Sequence, residues 1–510
     1  MSSLRPAVHV ARGASYLLVR TIVNSGVSIT AFAIIARLIS KNEMGEVAVL
    51  MLITNGAALL AGMGVNATAT KFVASFNAKD EYEKMRRAGY GCLIINLMAT
   101  AIISIAIYFS SDLLASFLFG NIAKGALLRL LLLEIVAISV TSSLAGILTG
   151  LKLFRQLSLV SMMTFTIRQI LVVTLLWLGW GVSGIVIGWG IGDSLSSVIL
   201  TVYTRKFLGP VRLDFGLAKL LKFSAPLFFG EVATYAWTWF DRGLLLPLVS
   251  LAELGSYNVA VTAFGMLDAF PSAISGVLFP FYSHLYPEES KRSEKKEDLE
   301  NAVLTASRYL SFITIPLAIG LAATALPAAT VLAGANYADA AYPLAVLALS
   351  LAVACQIRAL GSVLVVLGRT VTSALVTVAS VVIPIFLGIL LVENLGILGA
   401  SLARGASLVI LLLLSMVILK QIMKLRFDMK AYQSAWIASL VMGVVVLGAQ
   451  QIFYNKYLLV LYVGLGALVF LFAMRQLRAV RREDIDLLSD FLGPKMKFIT
   501  RWLGKVLDIK

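Results

Sequence analysis

Runs of about twenty apolar residues, separated by short charged or glycine-containing connections, recur along almost the whole chain. A helix rises 1.5 Å per residue, so each run matches a hydrocarbon core of about 30 Å and predicts a transmembrane helix. Fourteen spans are predicted: 15–36, 47–69, 88–109, 126–149, 156–179, 183–204, 223–247, 255–279, 302–325, 342–367, 370–392, 396–419, 431–452 and 457–476. The short alternating strands of a membrane β-barrel are absent from the pattern, which leaves an all-α polytopic architecture. Ser15 to Ala36 is too long for the apolar region of a secretory signal and is expected to remain as the first span.

Charge supports the count. With the N-terminus placed in the cytosol, outside loops carry only Arg37, Lys41, Lys124 and Lys456. Apart from arginines within the spans, the remaining basic residues fall inside, Arg475 at the inner edge of the last span, as the positive-inside rule requires. Both termini are thus expected in the cytosol of a multi-pass cell-membrane protein. The net charge of +16 then belongs mostly to the cytosolic surface, where it sets topology and attracts anionic lipid rather than nucleic acid. Composition agrees: 14% of residues are charged and mean hydropathy is +0.91, against about 25% charged in soluble domains.

A weak internal repeat organises the spans. Glu43-Met44-Gly45 precedes span two as Glu253-Leu254-Gly255 precedes span eight; Gly181 to Gly184 opens span six as Gly396 to Gly399 opens span twelve; Gly150 ends span four as Gly368 ends span ten. The offsets of about 210 to 218 residues define two six-span halves in parallel pseudo-twofold repeat. The expected divisions are an N-lobe (1–204), a cytosolic linker (205–222), a C-lobe (223–420), two extra helices (421–477) and a cytosolic amphipathic tail (478–510). In that tail Met496, Ile499, Leu503 and Val506 share a face opposite Lys497, Arg501 and Lys505, predicting a helix that lies at the membrane surface. The loop 282–300 reads as a short solvated helix.

Charged residues inside spans are expensive and face a bundle interior or a hydrated cavity. On span seven, Glu231, Tyr235, Thr238 and Arg242 form one polar stripe, with Asp241 beside it. Intramembrane arginines also occur at Arg20, Arg129, Arg168, Arg308, Arg358 and Arg404. Arginine keeps its charge when desolvated and its planar fork matches phosphate oxygens, so Arg20, Arg168, Arg242, Arg358 and Arg404, with Asn24 one turn from Arg20, are candidate contacts for an anionic headgroup. Arg129 and Arg308, near span ends, are expected to snorkel. Asp193, Glu231 and Asp268 are candidate groups for coupling to H+ or Na+; equally, they and Glu134 or Asp241 could pair permanently with the arginines, and the sequence does not assign pairs. Nothing points to an enzyme: no phosphate-binding loop for ATP, no metal-ligand cluster and no catalytic constellation is found, and Cys92 and Cys355 both lie within spans. No resident cofactor is expected beyond a coupling ion.

Five stretches resemble a known family: ARLISKNEMGEVAVL (36–50), GVLFPFYSHLY (276–286), LAGANYADAAYPLAVLALS (332–350), VLVVLGRT (363–370) and LGILGASLA (395–403). They are similar to the polysaccharide-transporter branch, the Wzx-type oligosaccharide or O-antigen repeat-unit flippases, of the MOP (MATE/MurJ-like) superfamily. The resemblance implies a flippase that carries a polyprenyl-(pyro)phosphate-linked oligosaccharide from the cytosolic to the outer leaflet by alternating access. Membrane lipids are expected partners, and the basic tail leaves glycan-assembly proteins as further candidates, with a lipid-binding scaffold for their complex as a non-transport reading. It also implies that the headgroup binds between two lobes and that spans thirteen and fourteen form a groove for the lipid tail. Arg20 resembles, by position, a luminal arginine of peptidoglycan-precursor flippases, which leaves a lipid II-type cargo as an alternative; a multidrug or cation antiporter of the same superfamily is the other.

Overall fold

The computed structural model describes residues 4–210, 216–286, 293–482 and 484. The predicted surface helix of the tail lies outside these residues, as does part of the 282–300 loop. The helices in order are α1 Leu4–Leu38, α2 Lys41–Gly62, α3 Val65–Asn77, α4 Tyr82–Phe119, α5 Gly125–Gly150, α6 Phe154–Trp177, α7 Gly181–Leu208, α8 Leu217–Leu245, α9 Leu251–Leu285, α10 Ser293–Ala323, α11 Ala325–Ala333, α12 Ala341–Val353, α13 Ile357–Leu360, α14 Val363–Val366, α15 Thr370–Leu395, α16 Ile397–Ile422, α17 Met429–Ile452 and α18 Leu459–Gln476. Thirteen of the described helical segments are long and apolar enough to cross a membrane. The remaining predicted span is α8, 29 residues long, whose charged stripe dilutes its hydropathy.

Two predicted spans are broken. The span predicted at 47–69 divides into α2 and α3 at Met63 and Gly64, both with positive φ. Only a glycine fits at 64, because a Cβ there would lie 2.6 Å from the carbonyl oxygen of Ser224. The span predicted at 342–367 is the run α12, α13 and α14, unwound at Ala354 to Gln356. Non-helical backbone survives at membrane depth only where its polar groups find partners. Here Ile357 N–H donates to Ala354 O (3.0 Å), Ser275 Oγ donates to Arg358 O (2.8 Å), and Gln356 Nε2 bonds Ser311 Oγ (2.8 Å).

The internal repeat has a structural counterpart. Ser40 and Ser250 each form a capping box with the glutamate three residues on, Glu43 and Glu253, satisfying otherwise orphaned donors at the helix start. Two residues further, Gly45 and Gly255 allow backbones to touch: a Cβ on Gly45 would lie 1.9 Å from Leu251 O, and one on Gly255 2.2 Å from Lys41 O. The two copies of the motif therefore pack on each other. Gly181 and Gly396, at the starts of spans six and twelve, share φ values of 54° and 55°.

By packing, the chain divides into two compact units, Met1–Gly255 and Ser256–Lys510. In the first, Val65, Ala69, Val73, Leu144, Ile147, Leu148 and Leu200 form a core where α3, α4, α5 and α7 meet. Gly184, Gly188 and Gly192 line α7 where it lies against α6: a Cβ on Gly188 would come within 2.6 Å of Val172 and one on Gly192 within 2.4 Å of Arg168. This is the close contact expected of small residues at spacings of four. In the second unit Ile315, Ala318, Ile319, Ala352, Ala435 and Met442 pack α10 against α12 and α17.

Candidate functional site

In the first unit, α6 carries Arg168 into a cluster with two acids. Its guanidinium meets Asp193 of α7 at 2.9 Å and Glu134 of α5 at 3.4 Å, and lies over the Trp189 ring at 5.3 Å. Glu134 is 1% exposed, and its Oε2 has no partner among the described residues. The cluster therefore sets one permanent positive charge against two carboxyl groups. Thr141 and Ser197 flank it, with Ser197 Oγ donating to Asp193 O at 3.0 Å.

Arg20 and Asn24 lie on α1, half-buried where α1 packs against α6. Asn24 Nδ2 donates to Ser161 Oγ of α6 at 3.4 Å. Arg20 makes no ion pair with a described residue. A cavity of about 390 Å³ opens further along the same two helices, between Gly26, Thr30 and Ala31 on one side and Thr166, Gln169 and Val173 on the other.

The α8 stripe docks onto helices of its own unit. Tyr235 Oη donates to Leu52 O of α2 at 2.8 Å, and the Glu231 carboxylate lies beside the backbone at the α2–α3 break, near Gly62 and Gly64. Glu231 thus sits at the N-terminus of α3, where unsatisfied N–H groups favour a carboxylate. Arg242 is buried, stacked at 4.5 Å over Trp239, with its Nη1 reaching Thr238 O at 3.3 Å.

In the second unit, the unwound segment after α12 delivers Arg358 to Asp268 of α9 in a close ion pair. Arg404 is half-buried on α16. Among the nine residues singled out from the sequence, the structure thus joins Arg168 with Asp193 and Arg358 with Asp268, and leaves Arg20 with Asn24, Glu231, Arg242 and Arg404 at separate places. The pairing that the sequence leaves open is settled for these two arginines. Arg308 does not snorkel: it is 7% exposed and ion-paired, since Asp428 and Asp484 come to it from outside its helix.

One feature has no motif at all. Helices α10, α17 and α18 enclose an apolar groove of about 560 Å³, lined among others by Phe312, Pro316, Gly320, Met442, Gly466 and Phe470. Uniformly apolar spans hide such a groove in the sequence, because lining and lipid-facing positions are composed alike. Its trace is the small residues Gly320 and Gly466 among bulky ones.

The family of polysaccharide biosynthesis proteins matches residues 34–342. The chain belongs to that family. A relative within the same functional area is the succinoglycan biosynthesis transport protein ExoT of Rhizobium meliloti (strain 1021), 25% identical over 339 residues. That match covers 64% of this chain and 63% of the relative, so less than two thirds of the relative's length is spanned. Among solved structures, the lipid II flippase MurJ in an inward closed conformation superposes with a TM-score of 0.67 at 17% identity, covering 89% of this chain and 97% of that one. An inward-facing multidrug resistance MATE family transporter of the MOP superfamily gives 0.60 at 16% identity, over 86% and 99% of the two chains. This polysaccharide biosynthesis protein therefore has the MOP flippase fold and is a multi-pass membrane protein. Its family and fold neighbours are transporters and flippases rather than catalytic enzymes.

Proposed function

We propose that the protein is a flippase that moves a polyprenyl-(pyro)phosphate-linked oligosaccharide from the cytosolic to the outer leaflet by alternating access, with its termini in the cytosol. The observation that carries this reading is the apolar groove among α10, α17 and α18. Its walls are membrane-spanning helices and its lining is almost wholly aliphatic or aromatic, so it suits a lipid chain and offers nothing to a charged solute. Arg20, a permanent cation in a membrane helix without an acidic partner among the described residues, supplies what a phosphate headgroup needs in a low-dielectric path. Asn24 adds a polar contact one turn away. Arg168, Arg358, Arg242 and Arg404 extend the supply of positive charge, the first two through pairs that an arriving phosphate would share.

Coupling to H+ or Na+ belongs to the same reading. One guanidinium between Glu134 and Asp193 leaves that buried cluster a cation short, and a monovalent cation balances it. Asp268, already paired with Arg358, and Glu231 are the further coupling candidates.

Gly320 tests the reading in cells. A side chain there enters open groove, its nearest neighbour being the flexible end of Met442 at 3.5 Å. Gly320→Phe should fill the groove, and Arg20→Ala should remove the headgroup contact. Each should lower outer-leaflet glycan at least tenfold while membrane levels of protein persist. Undiminished glycan export from both variants contradicts the assignment. The antiporter alternative, favoured by the likeness to MATE folds, instead predicts that the protein lowers drug accumulation in the cells expressing it.

A further inference from the structure

The groove has a fastening at one end. Phe312 of α10 and Phe470 and Leu471 of α18 line it. The same three side chains pack on the buried cluster of Ala438, Met474 and Ala479, against which Leu477 and Val480, just after α18, also pack. The chain turns back sharply there: Arg478 has φ +46°, an uncommon conformation for a residue with a side chain, and Ala479 N–H closes the turn onto Met474 O. Beyond the turn the segment is held by charge. Arg308, one turn before Phe312, donates to Asp484 Oδ2 at 2.7 Å, to Ala479 O at 3.1 Å and to Asp428 Oδ2 at 2.6 Å. Tyr309 Oη donates to Asp484 Oδ1 at 2.9 Å, and Arg481 reaches Asp428 at 3.2 Å.

We infer that residues 477–482 together with Asp484 form a latch: fastened by Arg308 and Tyr309, it closes that end of the groove, and it must unfasten for a lipid chain to enter or leave there. Three features separate a latch from an ordinary helix cap. The segment contributes Ala479 to the cluster on which the groove-lining Phe312 and Phe470 rest, so displacing it uncovers apolar surface continuous with the groove. Its apolar contact is small, resting on Ala479, Val480 and Leu477, so its hold depends on polar contacts: those of Arg308 and Tyr309 with Asp484, and the exposed pair of Arg481 with Asp428. Those contacts exchange readily for another anion, since a guanidinium that binds the Asp484 carboxylate binds a phosphate by the same geometry. Asp428 stays behind as the residual partner of Arg308, so release of the segment leaves no unpaired buried cation.

The inference rests on the lipid-chain reading of the groove but not on transport, and the test keeps them apart. The protein is placed in nanodiscs with a polyprenyl phosphate bearing a diazirine on its chain, and photolabelling of groove residues is mapped by peptide. Hydrogen exchange of 477–484 reports release. Asp484→Ala should raise exchange in that segment and raise labelling around Phe312 and Phe470 several-fold. Ala479→Asp, which drives a charge into the apolar contact and leaves Arg308 and Asp484 in place, should do the same where Asp484→Ala fails to fold. Released segment with unchanged or reduced labelling overturns the latch. Raised labelling in a protein that moves no lipid-linked glycan supports the latch and removes the flippase reading instead.

Discussion

Arg168 holds its place because two carboxyl groups need it. Removing one partner of a buried pair costs about 3–5 kcal/mol, since the charge left behind is uncompensated; Arg168 is 18% exposed, so the lower end applies. Arg168→Ala should therefore lower the unfolding temperature in detergent by several degrees. Adding Glu134→Gln and Asp193→Asn should restore most of it, and failure of the neutral triple variant to recover would show that Arg168 acts by packing alone. Gly45 makes a steric claim rather than an electrostatic one. A methyl group 1.9 Å from the Leu251 carbonyl oxygen forces the backbone to move, and overpacking of this kind costs about 1–3 kcal/mol. Gly45→Ala should show the loss in the same melt, with Gly26→Ala, which meets nothing within 4 Å, as the neutral control. At this scale the sequence exposes which residues are costly, through charge in an apolar run, but not what relieves the cost. Glu231 and Asp193 look alike as intramembrane acids; one lies beside the start of α3, the other accepts from a guanidinium, and only the fold distinguishes them.

Helix ends and breaks carry the element-scale lessons. Spans were legible from apolar run length, and the repeated Glu-x-Gly at 43–45 and 253–255 reads as an internal repeat, while the serines that make it a capping box, Ser40 and Ser250, are identified only by the structure. The breaks at 63–64 and 354–356 were not legible, because Ala354 and Met63 are as apolar as their neighbours and the groups concerned, the Ser224 carbonyl that crowds Gly64 and the Ser275 and Ser311 side chains that bond the second break, lie far away in sequence. The start of α17 makes a titration prediction. Burial works against the charge of Asp428, but the Ala431 N–H and the Arg308 guanidinium, with Arg481 behind it, outweigh burial and hold its carboxyl below the usual range. A carboxyl whose value is lowered by folding stabilises the fold above the ordinary carboxylate range of about 4 and loses that contribution as pH falls through the lowered value. Intrinsic-rate-corrected exchange at the N-terminus of α17 should stay flat from about pH 8 to 5 and rise only below about 4. Asp428→Asn should remove the acid step; a step near neutral pH would mean another group holds this helix end.

For the molecule as a whole, span counting and three glycine motifs predict two six-span halves followed by two further helices. The all-α, many-span class agrees with the MOP flippase fold, while packing divides the chain between 255 and 256 and so puts α8, the expected first helix of the C-lobe, in the first unit. Packing adds what counting could not: α8 docks with α2, α3 and α4 in the first unit, through contacts from Tyr235 and Glu231 that no periodicity encodes. A groove along spans thirteen and fourteen is implied by the family resemblance, but its third wall, α10, emerges only when the helices are brought together. The most direct measurement is leaflet movement itself: purified protein in proteoliposomes, a fluorescent polyprenyl diphosphate saccharide on one face, and quenching from the other. The account predicts protein-dependent appearance of the saccharide on the opposite face, abolished by Gly320→Phe and Arg20→Ala. Folded protein that moves this lipid no faster than empty vesicles do would contradict it.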